Sequence, residues 1–166
     1  MTVTHEPVEG WVEPSASERL ELLKKTKTIA MVGVSANSSR PSNFVATYLL
    51  SSSADYEIHF VNPTIDEILG QHCYSSLEEL PLAPDMVNVF RRSEDLPEVA
   101  EQAAAIGAQS FWAQLGLWNV EAATIAVQAG LDVVMDRCLK VEHARFHGGL
   151  HLAGFDTGVI DSRLDK

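Results

Sequence analysis

Short apolar runs recur along the chain, separated by segments with helical spacing. Each run is rich in β-branched or aromatic residues and leads into a polar or glycine-containing loop. Runs of this kind are typical of parallel strands, which are covered on both faces of a sheet. The predicted strands are TIAMVGV (28–34), YEIHFV (56–61), DMVNVF (85–90), SFWAQ (110–114) and DVVMD (132–136).

The segments between the runs carry signals for helix starts and stops. A short amphipathic helix is predicted from Ser17 to about Lys25, and Pro41 suits the first position of the helix after the first strand. The other predicted helix ends are a capping box at 75–78, Ser93 with Gly107, and Asn119 with Gly130. This alternation is that of repeated βαβ units.

The alternation predicts an α/β fold, a Rossmann-like doubly wound parallel five-stranded sheet in three layers. Right-handed crossovers place helices on both faces of such a sheet. We expect the strand order 3-2-1-4-5. Ligands then bind beyond the carboxyl ends of the strands, near the switch point between strands 1 and 4.

Length and composition indicate a single domain over residues 1–166. Of the 166 residues, 46% are hydrophobic, which is enough to build a core without disulfides. Residues 1–15 are predicted to form a polar N-terminal arm, and residues 146–166 a C-terminal extension. There is no apolar run of about 20 residues and no signal-peptide pattern, so we expect a cytoplasmic protein.

The charge of the chain argues against two classes of partner. The formal net charge is −11 at pH 7, whereas nucleic acids and anionic membranes bind positively charged surfaces. We therefore expect neither as a partner. A small phosphate-bearing ligand responds to local charge and stays a candidate.

The loop after the first strand has the features of an anion site. It reads GVSANSSRP (33–41), and Arg40 adds a full charge just before the next helix. Glycine lets backbone approach a phosphate, and a helix N-terminus supplies N–H donors. Of the three glycines in G-x-G-x-x-G only Gly33 is present, so an ordinary βα turn is the alternative.

The ends of the other strands sharpen this interpretation. Asn62 follows the second strand, where an NAD site usually carries an acid for the ribose diol, and the missing charge suits a phosphorylated ribose. After the fourth strand, Gln114 can hydrogen-bond a ligand and Gly116 permits its close approach. Four arginines fall at the same predicted edge: Arg40, Arg91, Arg92 and Arg137.

Alternatives remain for the charged and reactive groups. Arg91 and Arg92 either bind an anion or are solvated or paired with the acids that follow them. Cys138 and His143 suggest a nucleophile and base, but a free cysteine at the start of a helix is more often a small core residue. His143, 147 and 151 are four residues apart, but a Gly-Gly pair breaks that spacing, so no metal site is predicted.

Five segments together give the chain a family resemblance. GVSANSSRPS, VNP, VFRR, WAQLG and MDRCLKVEH occur in order between about Thr28 and Arg145. Here the chain resembles the small single-domain CoA-binding proteins, which are similar to the N-terminal CoA-binding domain of the succinyl-CoA synthetase alpha subunit. The resemblance implies a Rossmann-like fold that binds coenzyme A or an acyl-CoA at the strand carboxyl ends.

The resemblance also implies roles for the motif residues. Residues 34, 35 and 37–43 would hold the pyrophosphate and the 3′-phosphorylated ADP, residues 62 and 63 would lie near the adenosine, and residues 90, 91 and 114 would line the way to the pantetheine arm. The synthetase's phosphohistidine region has no counterpart here, so ligase activity is not implied. The predicted ligand-binding residues are Gly33, Val34, Ser35, Asn37, Arg40, Pro41, Ser42, Asn43, Asn62, Pro63, Phe90, Arg91, Gln114 and Gly116.

The leading hypothesis is a module that binds coenzyme A or an acyl-CoA without catalysis of its own. Two enzyme classes are alternatives: an NADP-dependent oxidoreductase whose arginines accept the 2′-phosphate, and a thiol- or acyl-exchange enzyme that uses Cys138. A third alternative is an interaction protein with CoA as a structural or regulatory ligand. A homodimer and the identity of any acyl group stay open.

Overall fold

The computed structural model describes residues 5–51 and 55–147, in which strands and helices alternate. The strands are β1 (Thr28–Val32), β2 (Glu57–Val61), β3 (Glu67–Ile68), β4 (Gln71–Tyr74), β5 (Met86–Val89), β6 (Ser110–Ala113) and β7 (Asp132–Val134). The helices are α1 (Ala16–Lys25), α2 (Pro41–Ser51), α3 (Leu96–Ala105), α4 (Val120–Gln128) and α5 (Leu139–His147).

Polar side chains explain where the helices begin. Ser15 and Glu18 form a capping box, so α1 starts slightly earlier than predicted. Asn119 caps α4 as predicted, accepting the N–H three residues further on. Ser93 does not cap α3, because a 3₁₀ turn intervenes and its hydroxyl accepts the N–H of Trp118 instead. The short helix predicted near residue 75 is also a 3₁₀ turn.

The sheet places β1 near its centre. Its order is β3-β4-β2-β1-β5-β6-β7, and every neighbouring pair is parallel except β3 with β4. β1 pairs with β2 on one side and with β5 on the other. The chain thus winds outward in both directions from β1, and the switch point lies between β1 and β5.

The predicted five-strand order is not the observed one. The five predicted strands correspond to β1, β2, β5, β6 and β7, and the third of them lies beside β1 rather than outside β2. β4 occupies that outer position. Its sequence, QHCY, has a single buried residue, Cys73, and lacks the β-branched run that marks the other strands. With β4 counted, the six parallel strands follow the order 3-2-1-4-5-6 of doubly wound sheets.

Helices cover both faces of the sheet, so the predicted three-layer α/β architecture is confirmed. α1, α2 and α5 pack on one face around a core that includes Leu49, Phe60 and Trp112. α3 and α4 pack on the other face around a second core that includes Phe111. All residues of β5 and β6 are buried, as expected for strands covered on both sides.

The N-terminal arm is bound to the β6–β7 side of the domain. The indole N–H of Trp11 donates to the Val133 carbonyl at 3.1 Å. His5 stacks on Trp118 with ring centroids 3.9 Å apart, and its Nε2 lies 2.7 Å from a carboxylate oxygen of Asp136. From His5 onward the predicted arm is therefore part of the folded domain.

Two half-buried tyrosines contact His143 of α5. The Tyr48 hydroxyl lies 2.8 Å from Nδ1 of His143, and the Tyr56 ring meets the same imidazole edge-on. Burial raises the pKa of Tyr56 to about 12. Its hydroxyl donates a hydrogen bond to the Leu23 carbonyl at 3.3 Å.

None of the helices in the described ranges combines the length and the apolar composition that a bilayer span requires.

Candidate functional site

The loops after four neighbouring strands meet at one edge of the sheet. The predicted ligand-binding residues lie in the loops beyond β2, β1, β5 and β6 or at the start of α2. Backbone hydrogen bonds join these loops: Gly33 N donates to the Val61 carbonyl, and Phe90 N donates to the Val32 carbonyl. The structure thus brings the predicted residues to one edge.

Gly33 is required by the contact between the loops after β1 and β5. Its φ is +90°, a conformation that side-chain-bearing residues rarely adopt. A Cβ at this position would lie 2.2 Å from the Phe90 carbonyl oxygen and 2.9 Å from Cδ of Arg91. The glycine therefore serves close packing of the two loops, a reason that the sequence alone did not reveal.

Polar side chains within the β1–α2 loop hold its shape. Ser42 Oγ accepts the Ser35 N–H at 2.9 Å, and Ser35 Oγ accepts the Asn37 N–H at 3.0 Å. Asn43 Nδ2 donates to the Ser35 carbonyl at 2.8 Å. Asn37 Oδ1 accepts both the N–H and the hydroxyl of Ser39. These side chains preorganise the loop.

The same loop presents donors and a cation to solvent. Residues 36–40 are all exposed. In the part of the chain that the structure describes, the N–H groups of Ala36 and Ser38 donate to no protein acceptor. Arg40 forms no ion pair with any described carboxylate. It lies directly before α2, where the helix dipole adds partial positive charge.

Asn62 joins the loops after β1 and β2. Its Nδ2 donates to the Val34 carbonyl at 3.2 Å, and its Oδ1 accepts the N–H and the hydroxyl of Thr64 at 3.0 and 2.9 Å. Pro63, between them, is exposed. A carboxylate could not donate to the Val34 carbonyl. The absence of an acid after β2 therefore has a structural reason besides the one predicted from the ribose.

The two arginines after β5 are in ion pairs with the acids that follow them. Arg91 lies 3.6 Å from Asp95, and Arg92 lies 3.4 Å from Asp95 and 3.5 Å from Glu94. Of the two predicted roles of these arginines, anion binding and pairing with the acids that follow them, the structure contains the pairing. Arg92 is exposed and Arg91 is half-buried, and ion pairs near the protein surface contribute at most about 1 kcal/mol.

Arg137, after β7, belongs to a cluster of charged residues that includes Glu142 and Arg145 of α5. Its Nε lies 3.1 Å from Glu13 of the arm, and its Nη1 lies 3.7 Å from Glu142. Glu142 is only 3% exposed and also contacts the buried Arg19 at 2.6 Å and Arg145 at 3.3 Å. Arg137 is thus paired with carboxylates of the N-terminal arm and of α5.

Gln114 and Gly116, the predicted residues beyond β6, form hydrogen bonds with the start of α5 and with Asp136. Gln114 Oε1 accepts the Leu139 N–H at 3.3 Å, while its buried Nε2 has no hydrogen-bond partner among the residues that the structure describes. Gly116 N donates to Asp136 Oδ1 at 2.6 Å. Asp136 has a φ of +60°. The sequence did not identify this residue as part of the site, because a single Asp in the left-handed conformation leaves no sequence pattern.

Cys138 directly precedes α5, and His143 lies within it. Cys138 is half-buried, and its carbonyl accepts the Glu142 N–H at the start of α5. The Nδ1 atom of His143 lies 2.8 Å from the Tyr48 hydroxyl. His151 and the side chain of His147 lie outside the described residues. Within residues 5–51 and 55–147, no three His, Cys, Asp or Glu side chains are grouped to hold a metal ion.

Residues 27–144 match the family model of the CoA binding domain. The chain belongs to the CoA binding domain family. The resemblance found in the motif residues from about Thr28 to Arg145 is thereby confirmed within nearly the same bounds.

Related proteins agree with this assignment in sequence and fold. The uncharacterized protein YneT of Bacillus subtilis is 49% identical over 131 residues, covering 79% of this chain and 96% of YneT. A hypothetical protein from Pyrococcus horikoshii is 35% identical with a TM-score of 0.77, covering 89% of this chain and all of that one. A likeness in fold alone, at 24% identity and a TM-score of 0.57, extends to acetyl-coenzyme A synthetase 1 of Ca. Korarchaeum cryptofilum, with 69% of this chain and 27% of that one covered.

Proposed function

We propose that the protein binds coenzyme A or an acyl-CoA at the carboxyl edge of a Rossmann-like sheet, without catalysing a reaction of its own. The observation that carries this proposal is the β1–α2 loop, whose shape is held by side chains of the loop and of the first turn of α2. The loop exposes N–H donors and Arg40, which pairs with no described carboxylate and lies directly before α2. The family of the chain supplies the ligand class.

The phosphates are assigned to this loop. A preorganised loop pays little conformational entropy when an anion binds, and N–H groups at a helix N-terminus are suited to phosphate oxygens. Arg40 supplies a full positive charge in a strongly acidic chain. We place the pyrophosphate and the phosphorylated ribose here, with residues 34, 35 and 37–43 as the contact set.

The adenosine and the pantetheine arm are assigned to opposite sides of β1. The exposed Pro63 and the neighbouring Asn62, beyond β2, lie where the adenosine is proposed to rest. Phe90 and Arg91 beyond β5, and Gln114 and Gly116 beyond β6, then lie along the arm as it crosses successive strand ends.

Reversing the charge of Arg40 is the test of the phosphate assignment. Arg40→Glu is expected to weaken CoA binding by about tenfold or more, because a charge-assisted hydrogen bond of about 1.5–3 kcal/mol is replaced by repulsion. The measurement is calorimetric titration with CoA.

Lys24→Glu is the matched control, since it makes the same charge change at an exposed position on α1. Equal losses of affinity in the two variants would show that only net charge matters and would contradict a phosphate contact by Arg40.

A further inference from the structure

Cys138 is a half-buried cysteine at the carboxyl edge of the sheet. It lies beyond the end of β7 and precedes α5, and the backbone before it is fixed, because the Trp112 indole N–H donates to the Arg137 carbonyl at 2.8 Å. The other cysteine, Cys73, is buried in β4 on the far side of β1, and burial raises the pKa of its thiol. The structure thus offers one half-buried thiol and one buried reference thiol.

An unpartnered donor lies at the turn that carries Cys138. Gln114 is 4% exposed, and its Oε1 is held by the N–H of Leu139, the residue next to Cys138. Its Nε2 therefore lies at the same turn, and no described residue accepts a hydrogen bond from it. A buried amide N–H without a partner is costly. An amide or thioester carbonyl of a bound pantetheine arm is an acceptor of the required kind.

The spacing of the strands connects this turn to the proposed phosphate loop. From β1 the sheet continues through β5 and β6 to β7, which is three steps. At about 4.8 Å a step, the loops after β1 and β7 are about 14 Å apart. A pantetheine arm has about a dozen consecutive bonds between phosphate and sulfur, so it is long enough to cross this distance.

We propose that Cys138 captures CoA disulfides as a covalent adduct, a role that rests on the proposed CoA binding and goes beyond it. The Cys138 thiolate attacks the CoA sulfur of a disulfide CoA–S–S–R, the Cys138–S–S–CoA bond forms, and the S–S bond to R breaks. The leaving thiolate R–S⁻ takes up the proton that Cys138 released. The exchange needs no additional oxidant, because the disulfide itself supplies the oxidising equivalents.

Intact-protein mass spectrometry with two disulfides tests the capture. The full chain is incubated with CoA disulfide or with glutathione disulfide, which has no nucleotide. We expect one CoA adduct per chain, formed at least about tenfold faster than the glutathione adduct, because binding raises the effective concentration of the disulfide at the thiol. The adduct should form on Cys73→Ser and be absent from Cys138→Ser.

Two further measurements distinguish failure of the capture from failure of CoA binding. Excess desulfo-CoA, which lacks the thiol, should slow the CoA adduct and leave the glutathione adduct unchanged. Equal rates with the two disulfides, or an adduct on Cys73, would overturn the capture site. If Cys138→Ser still binds CoA by calorimetry in that case, the proposed function stands; if neither the variant nor the unmodified chain binds, the proposed function itself has failed.

Discussion

Replacement of Gly33 by alanine is expected to lower the free energy of unfolding by about 2–4 kcal/mol. Two penalties combine at this position. The φ of +90° is strained for any residue with a Cβ, and the new methyl group would lie 2.2 Å from the Phe90 carbonyl oxygen. The loops after β1 and β5 must then separate. Urea denaturation of the variant and of the unmodified chain measures the difference.

Gly130→Ala is the matched control for Gly33→Ala. Gly130 has the same φ of +90°, but no heavy atom lies within 4 Å of a Cβ built there. The free energy of unfolding of this variant should fall only by the cost of the positive φ, about 1 kcal/mol. If the two variants lost equal stability, the proposed contact between the β1 and β5 loops would not be what makes Gly33 necessary.

Glu142→Gln is expected to destabilise the domain by about 3–5 kcal/mol, because it leaves buried guanidinium groups without their carboxylate. The Glu142 side chain is 4% exposed and the Arg19 side chain 6%, and their charged atoms are 2.6 Å apart. The same carboxylate contacts Arg145 and Arg137. Glutamine keeps the shape and one acceptor oxygen but removes the charge that offsets these cations. Thermal and urea unfolding measure the loss.

A second variant tests whether burial causes the effect at Glu142. Glu121→Gln makes the same chemical change in the first turn of α4, at an exposed position. The free energy of unfolding of this variant should change by no more than about 0.5 kcal/mol, as for most surface substitutions. A loss of similar size in both variants would contradict the cluster as a buried support for α5.

The strands of the central sheet could be predicted because burial on both faces leaves a clear signal. β1 and β5 are mostly apolar and almost fully buried, and the prediction located both within a few residues. β4 is short and mostly half-exposed, so QHCY resembles a loop. Omitting one strand was enough to produce the wrong strand order, because β4 occupies the place assigned to the third predicted strand.

The location of the candidate site could be predicted from the sequence, but the contacts of its side chains could not. Chain order brings Gly33, Asn62 and Gln114 to the same edge of a parallel sheet, since each follows a strand. What each side chain does depends on partners distant in sequence: Gly33 makes room for Phe90, and Gln114 accepts from Leu139. Long-range pairs of this kind leave no local pattern.

Ion-pair partners that are distant in sequence could not be predicted either. The four arginines at the predicted edge favoured an anionic ligand by their number. In the structure Arg91, Arg92 and Arg137 all have carboxylate partners, so the expectation now rests on Arg40. Arg91 and Arg92 pair with acids within four residues, which the sequence did suggest. The partner of Arg137, Glu13, is 124 residues away along the chain.

Calorimetric titration of the unmodified chain with CoA, dephospho-CoA and NADPH tests the proposed function most directly. The proposal predicts saturable binding of one CoA per chain, weaker binding of dephospho-CoA because the phosphate on the ribose is missing, and weaker binding of NADPH because it has no pantetheine arm. Absence of heat and of a thermal shift at about 1 mM CoA, or tighter binding of NADPH than of CoA, would contradict it.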